Sequence, residues 1–151
     1  MSIQLKIRRG TAVQNDAFTG AEAELTYDTT NKGLRIHDGT TQGGYKVPVL
    51  VEVQRPALSN NYTWARRYSD GWVEQGGFID GGTTGWETAT ITFPFEMSDT
   101  NYQLFCLGNW SDAQSSSCQV TAKTTTGATI RHANNTTTVQ KTVWYTCGIG
   151  A

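Results

Sequence analysis

Between Glu87 and Met97 the chain alternates strictly. Ala89, Ile91, Phe93, Phe95 and Met97 fall on one side, and Thr88, Thr90, Thr92 and Glu96 fall on the other. Side chains on a strand alternate with period two, so this pattern builds a β-strand with one apolar face rather than a helix of period 3.6. An apolar sheet face needs a second layer to cover it, which confines the chain to a layered β architecture. Pro94 on the outer side cannot donate to a ladder and predicts an edge or a bulge.

Weaker signals of the same kind follow on both sides. Trp64–Tyr68 and Trp72–Gln75 flank Ser69-Asp70-Gly71, a hairpin with a tight loop, and Gly76-Gly77 then predict a return to loop. Strands are expected at Tyr102–Gly108, Cys118–Lys123, Ala128–His132 and Val139–Ile149, the last with Val143, Tyr145, Cys147 and Ile149 on its packed side. Six or seven short strands separated by regular turns predict an antiparallel β-sandwich. Composition agrees, since 24 Thr, 16 Gly, 8 Asn and 8 Ser make up 56 of 151 residues. Thr fits pleated strands, and Gly and Asn fit turns.

The first third reads differently. Ile3, Leu5 and Ile7 alternate with polar residues, Thr11–Glu24 holds room for one short helix, and Leu25–Tyr27 and Leu34–His37 are short strands around an Asn31-Lys32-Gly33 turn. So few apolar residues in about 50 cannot form an independent core, and a partner is expected. The predicted domains are 1–54 and 55–151, divided where the apolar run ending at Val51 gives way to Gln54-Arg55-Pro56.

Twelve basic residues against 13 acidic ones give a net charge of −1, which argues against nucleic acid as a partner. No run approaches the roughly 20 apolar residues that span a bilayer, so no membrane insertion is expected. No signal peptide is expected either, because Lys6, Arg8 and Arg9 follow Met1 without an apolar stretch. Cys106, Cys118 and Cys147 lack metal-ligand spacing and read as three reduced, packed thiols. His37 and His132 stand far apart without neighbouring ligands. No metal, no cofactor and no catalytic residue is predicted.

Two stretches resemble phage tail-fibre proteins. Ile3–Ala12, Ala21–Asp28 and Gly33–Thr41 are similar to a small module of tail fibres and tailspikes. Tyr68–Gly77, Ile91–Phe95, Asn101-Tyr102, Thr125–Thr129 and Val143–Gly148 are similar to a C-terminal tail-fibre tip domain. The resemblance implies short interlaced N-terminal strands followed by an antiparallel β-sandwich knob, homotrimeric. It also implies a receptor-binding role on the virion, a product of the bacterial host cytoplasm, with other tail or baseplate proteins as partners.

Among host-surface ligands, polysaccharide or lipopolysaccharide fits the loop chemistry. Sugars present apolar CH faces and hydroxyls, which aromatic rings and Asn or Asp groups engage. Trp110, between Asn109 and Asp112 in a polar stretch, is claimed by no strand or helix period. Phe78–Trp86, which is glycine-rich and holds Asp80 and Trp86, is a second candidate loop, and Ala133–Thr138 is a third. Two other readings stand beside this one. A structural virion decoration, or a baseplate or capsid fibre component, would lack a receptor. A glycan-cleaving tailspike would need two paired carboxylates, the candidates being Asp80, Glu87, Asp99 and Asp112.

Overall fold

The computed structural model describes residues 6–80, 85–109, 118–134 and 141–151. These form two compact units, one of residues 1–51 with 68–70 and one of residues 52–67 with 71–151.

The first unit is a four-stranded sheet in the order β1-β2-β3-β4 (Arg8–Gly10, Leu25–Asp28, Gly33–Ile36, Tyr45–Val47) with helix α1 at Ala12–Asp16. The Thr11 side chain caps the helix, accepting from the Gln14 N–H while the Gln14 side chain accepts from Thr11 N–H. β1 runs parallel to β2, and the remaining pairs are antiparallel. Of the strand expected from Ile3, residues 1–5 lie outside the described ones, and β1 occupies Arg8–Gly10. β4 was not legible, because Tyr45-Lys46-Val47 is too short to establish a period.

The buried centre of this unit is polar. Among its described residues the buried side chains are Asn15, Thr26, Asp28, Arg35 and His37. Arg35 donates to Asp28 Oδ2 at 2.9 Å, to Asp16 Oδ1 at 2.6 Å and to the Gly43 carbonyl at 3.1 Å. Burial acts to raise the Asp28 pKa, but hydrogen bonds from the Asn31 N–H and Arg35 outweigh it and hold the carboxyl below its ordinary range. His37 Nδ1 accepts from the Gly20 N–H, so Nε2 carries the proton towards Thr26 Oγ1. A Cβ at Gly20 would lie 2.6 Å from the His37 ring, which explains glycine there. The other face of the sheet is apolar and largely open. Its register rows are Leu25–Ile36–Tyr45 and Tyr27–Leu34–Val47, and Leu25, Ile36 and Tyr45 are exposed.

The second unit holds two sheets, apart from the strand-end residues Leu50, Val51 and Tyr68. One has the order β10-β11-β8 (Cys118–Thr124, Gly127–Asn134, Gly85–Thr92), and the other β5-β6-β7-β12-β9 (Leu50–Gln54, Trp64–Tyr68, Trp72–Asp80, Lys141–Ile149, Gln103–Asn109). Their inner faces meet in one core of Val73, Ile91, Phe93, Met97, Tyr102, Ala128, Ile130 and Trp144, with the Phe93 and Trp144 rings stacked 5.7 Å apart. This is the expected antiparallel sandwich.

Four expectations are corrected here. β8 ends at Thr92, because Pro94 removes the next donor. The alternation persists to Met97 all the same, since the buried Gln75 amide takes over the pairing. Its Nε2 donates to the Phe95 carbonyl and its Oε1 accepts from the Phe95 N–H, both at 3.0 Å. Gly76 and Gly77 do not break the sheet but lie inside β7, where a Cβ on Gly76 would press on the Trp144 carbonyl at 2.8 Å and the Trp64 ring at 3.1 Å.

The thiols are not all reduced: Cys106 and Cys118 form a disulfide with Cα atoms 5.9 Å apart, and Cys147 alone is free. The bond joins β9 of one sheet to β10 of the other, a facing that sequence spacing does not reveal. Finally, β12 buries the side opposite to the one expected. Thr142, Trp144 and Thr146 point inward, while Val143, Tyr145, Cys147 and Ile149 lie on the outer face.

Candidate functional site

Register brings the ends of six strands together. Lys141, which opens β12, is paired with Asp80 at the end of β7 and with Asn109 at the end of β9. In the other sheet Asn134 ends β11 opposite Gly85, which opens β8, and Cys118 opens β10 opposite His132. The three connections 81–84, 110–117 and 135–140 therefore leave from and return to one end of the sandwich. They are the cores of the three loops singled out in the sequence. Trp110 and Asp112 lie outside the described residues. Asn109 stands at the mouth of the second connection.

Two ties between the sheets stiffen the strands beneath this end. One is the Cys106–Cys118 bond, which closes the connection carrying Trp110. The other joins His132 Nδ1 to Thr142 Oγ1 at 2.7 Å, with both side chains buried. Loops mounted on a cross-braced base keep their ends fixed while their sequences vary.

Asp80 is half-exposed and forms an ion pair with Lys141 at 3.2 Å, and the Lys141 ammonium also lies 5.7 Å from the centre of the Phe78 ring. Trp86 is 51% exposed one residue into β8, and the Arg131 guanidinium covers its ring at 4.9 Å. The loop end thus carries Trp86 with Arg131 on the outer side of one sheet and Asp80 with Lys141 on the outer side of the other. Sequence reasoning named Trp86 and Asp80; Arg131 and Lys141 become their neighbours only through strand pairing. Trp72 reads in the sequence as a packing residue, yet it is 38% exposed.

Of the carboxylates considered for cleavage, Asp112 lies outside the described residues and Asp99 lies apart from Asp80. Asp99 holds the Asn101 N–H at 2.7 Å before β9 begins, so it lies at the opposite end from Asp80. The seven residues of β9 separate them by about 20 Å, beyond the roughly 5–10 Å that glycosidase carboxylates require. Glu87 stands on the other sheet from Asp80, in register with His132. Among the described residues no group of three His, Cys, Asp or Glu could hold a metal ion. Among the same residues, no helix is long and apolar enough to cross a membrane.

Residues 5–41 match the family model of the Major tropism determinant N-terminal domain. A 45-residue stretch is 44% identical to the Tail fiber receptor-binding protein of Bordetella phage BPP-1, covering 30% of this chain and 12% of that protein's length. The chain resembles phage tail-fibre receptor-binding proteins. Among solved structures, an N-truncated R1-type pyocin tail fiber matches at 15% identity with a TM-score of 0.48, over 65% of this chain and 86% of that one. The Major Tropism Determinant U1 variant matches at 20% identity with a TM-score of 0.29, over 58% of this chain and 29% of that one.

Proposed function

We propose that this chain is a bacteriophage tail-fibre receptor-binding protein, a virion component that assembles as a homotrimer and docks its loop end on host surface polysaccharide or lipopolysaccharide without cleaving it. The observation that carries the reading is the convergence of all three candidate loops on one end of the sandwich. That end is braced by the Cys106–Cys118 and His132–Thr142 ties and flanked by exposed Trp86. A sugar ring can lie on the Trp86 indole, while Arg131 beside it meets its hydroxyls or an acidic substituent. A disulfide also persists on a virion surface outside the cell.

Oligomerisation is supported by the first unit, whose polar network is internal and whose apolar sheet face lies outside. That arrangement leaves the hydrophobic contribution to neighbouring chains. Attachment to virion tail or baseplate proteins belongs to the same reading.

The test is adsorption of the full chain to bacteria that differ in surface glycan, comparing wild type with Trp110→Ala and Trp86→Ala. Both variants should adsorb much less, and avidity in a trimer enlarges the loss. Their unfolding should stay within about 1 kcal/mol of wild type, against the roughly 3–5 kcal/mol expected for a buried Trp. New reducing ends on the glycan would favour the cleaving reading. Binding to virion proteins but to no cell would favour structural decoration.

A further inference from the structure

The two outer faces of the sandwich differ in kind. On the three-stranded sheet, β8 turns Thr88, Thr90 and Thr92 to the outside, next to Thr129 and Arg131 of β11. On the five-stranded sheet, successive register rows read Phe78–Val143–Leu107 and then Trp64–Gly76–Tyr145–Phe105. Phe105 is 62% exposed, Leu107 67% and Ile149 52%. The rings of Trp64 and Phe105 flank Tyr145 at 6.0 and 6.5 Å, and Gly76 leaves the row flat. Thr suits a strand face left in water, whereas aromatic rows of this size suit a covered one. The inversion of β12 belongs to the same pattern, since its apolar side is the outer one.

We infer that this outer face is an interface between copies of the chain, resting on the homotrimeric reading above. The occupant follows from charge, edge and area. Among the described residues the charges on the face come in opposite signs side by side: Asp80 pairs with Lys141 at 3.2 Å, and Glu74 stands opposite Arg66 in register, whose guanidinium lies 5.7 Å from the centre of the Trp64 ring. A neutral face of this kind can lie against neighbouring copies around a threefold axis without like charges opposing. β9 is an edge strand, and Gln103–Asn109 contains neither a charge nor a proline to discourage association. Nine residues of β12 across five strands give a plan area of about 500–600 Å² before side-chain relief. This approaches the roughly 800 Å² per partner of a standard interface.

Cys147 provides the probe, being a free, half-buried thiol on this face between Glu74 and Gln103, towards the end away from the loops. The unreduced full chain is labelled at Cys147 with a maleimide and at Phe105 and Leu107 by hydroxyl radicals, each rate taken relative to the denatured chain. Sedimentation is run on the same sample, and Trp86 on the polar side serves as the exposed reference. The expected result is an oligomer in which Phe105, Leu107 and Cys147 are protected severalfold more than Trp86. Phe105→Glu combined with Leu107→Glu should remove the Cys147 protection even if the first unit still holds the chains together. An oligomer in which these residues label as freely as Trp86 overturns this inference and leaves the homotrimeric reading standing. A monomer overturns both.

Discussion

Replacing Cys106 and Cys118 together by Ala removes the covalent tie between β9 and β10 and leaves Cys147 in place. The bond spans a sequence separation of 12. In the chain-entropy account, a loop of about that length restricts the unfolded ensemble by about 3 kcal/mol. For a unit of this size that corresponds to a fall in Tm of on the order of 10 °C or more. Guanidinium unfolding at fixed protein concentration checks it, read through the buried Trp144, whose ring stacks on Phe93. Reductant applied to wild type should reproduce the loss and should leave the double variant unchanged. Thiol titration of the unreduced native protein should find one free group per chain. A change below about 0.5 kcal/mol, or three titratable thiols, would refute the reasoning.

Gln75→Ala should cost about 2–3 kcal/mol, because it strands the buried N–H and carbonyl of Phe95 where Pro94 has already ended the ladder; Gln75→Glu should rescue only the N–H half. Denaturant midpoints of the two variants check this. Acid should weaken the first unit, whereas neutral and mildly acidic pH should leave it intact. The Asp28 carboxyl is held below its ordinary range, and Asp38 is held far below it by the Thr41 and Thr40 N–H groups. Their stabilisation is complete above the unfolded carboxylate pKa near 4 and is lost as pH falls towards the folded values. Hydrogen exchange across residues 25–41 should accordingly stay protected at pH 5–7 and open below about pH 4.

The strands of the second unit were legible wherever alternation ran for five residues or more. Trp64–Tyr68 and Cys118–Lys123 fall where the pattern places them, while the strand expected over Glu87–Met97 stops at Thr92. Alternation separates two faces but does not say which one another layer covers. That is why β12 was assigned the wrong inner side, although Trp144 already marked the other. Gly76 and Gly77 misled because glycine signals both a turn and a close approach, and only the Trp64 ring and the Thr63 backbone distinguish the two. The polar centre of the first unit was hidden for a different reason. Arg35, Asp28 and Asp16 look like ordinary surface charges until the sheet and α1 bring them within hydrogen-bond range. The loops of the candidate site were visible as polar stretches, whereas their convergence depends on pairing Lys141 with both Asp80 and Asn109.

Blocking one end of the sandwich at a time addresses the docking claim most directly. In a Cys147→Ser background, Thr88→Cys and Thr92→Cys place a single thiol on the polar outer face, towards the loop end and at the opposite end respectively, and each is coupled to a bulky polymer under non-reducing conditions. Adsorption is then measured on bacteria with and without their surface polysaccharide. The account predicts that wild type binds only the glycan-bearing cells, that the polymer at position 88 abolishes binding, and that the polymer at position 92 leaves it intact. Binding that survives the polymer at 88, or that ignores removal of the polysaccharide, would contradict it.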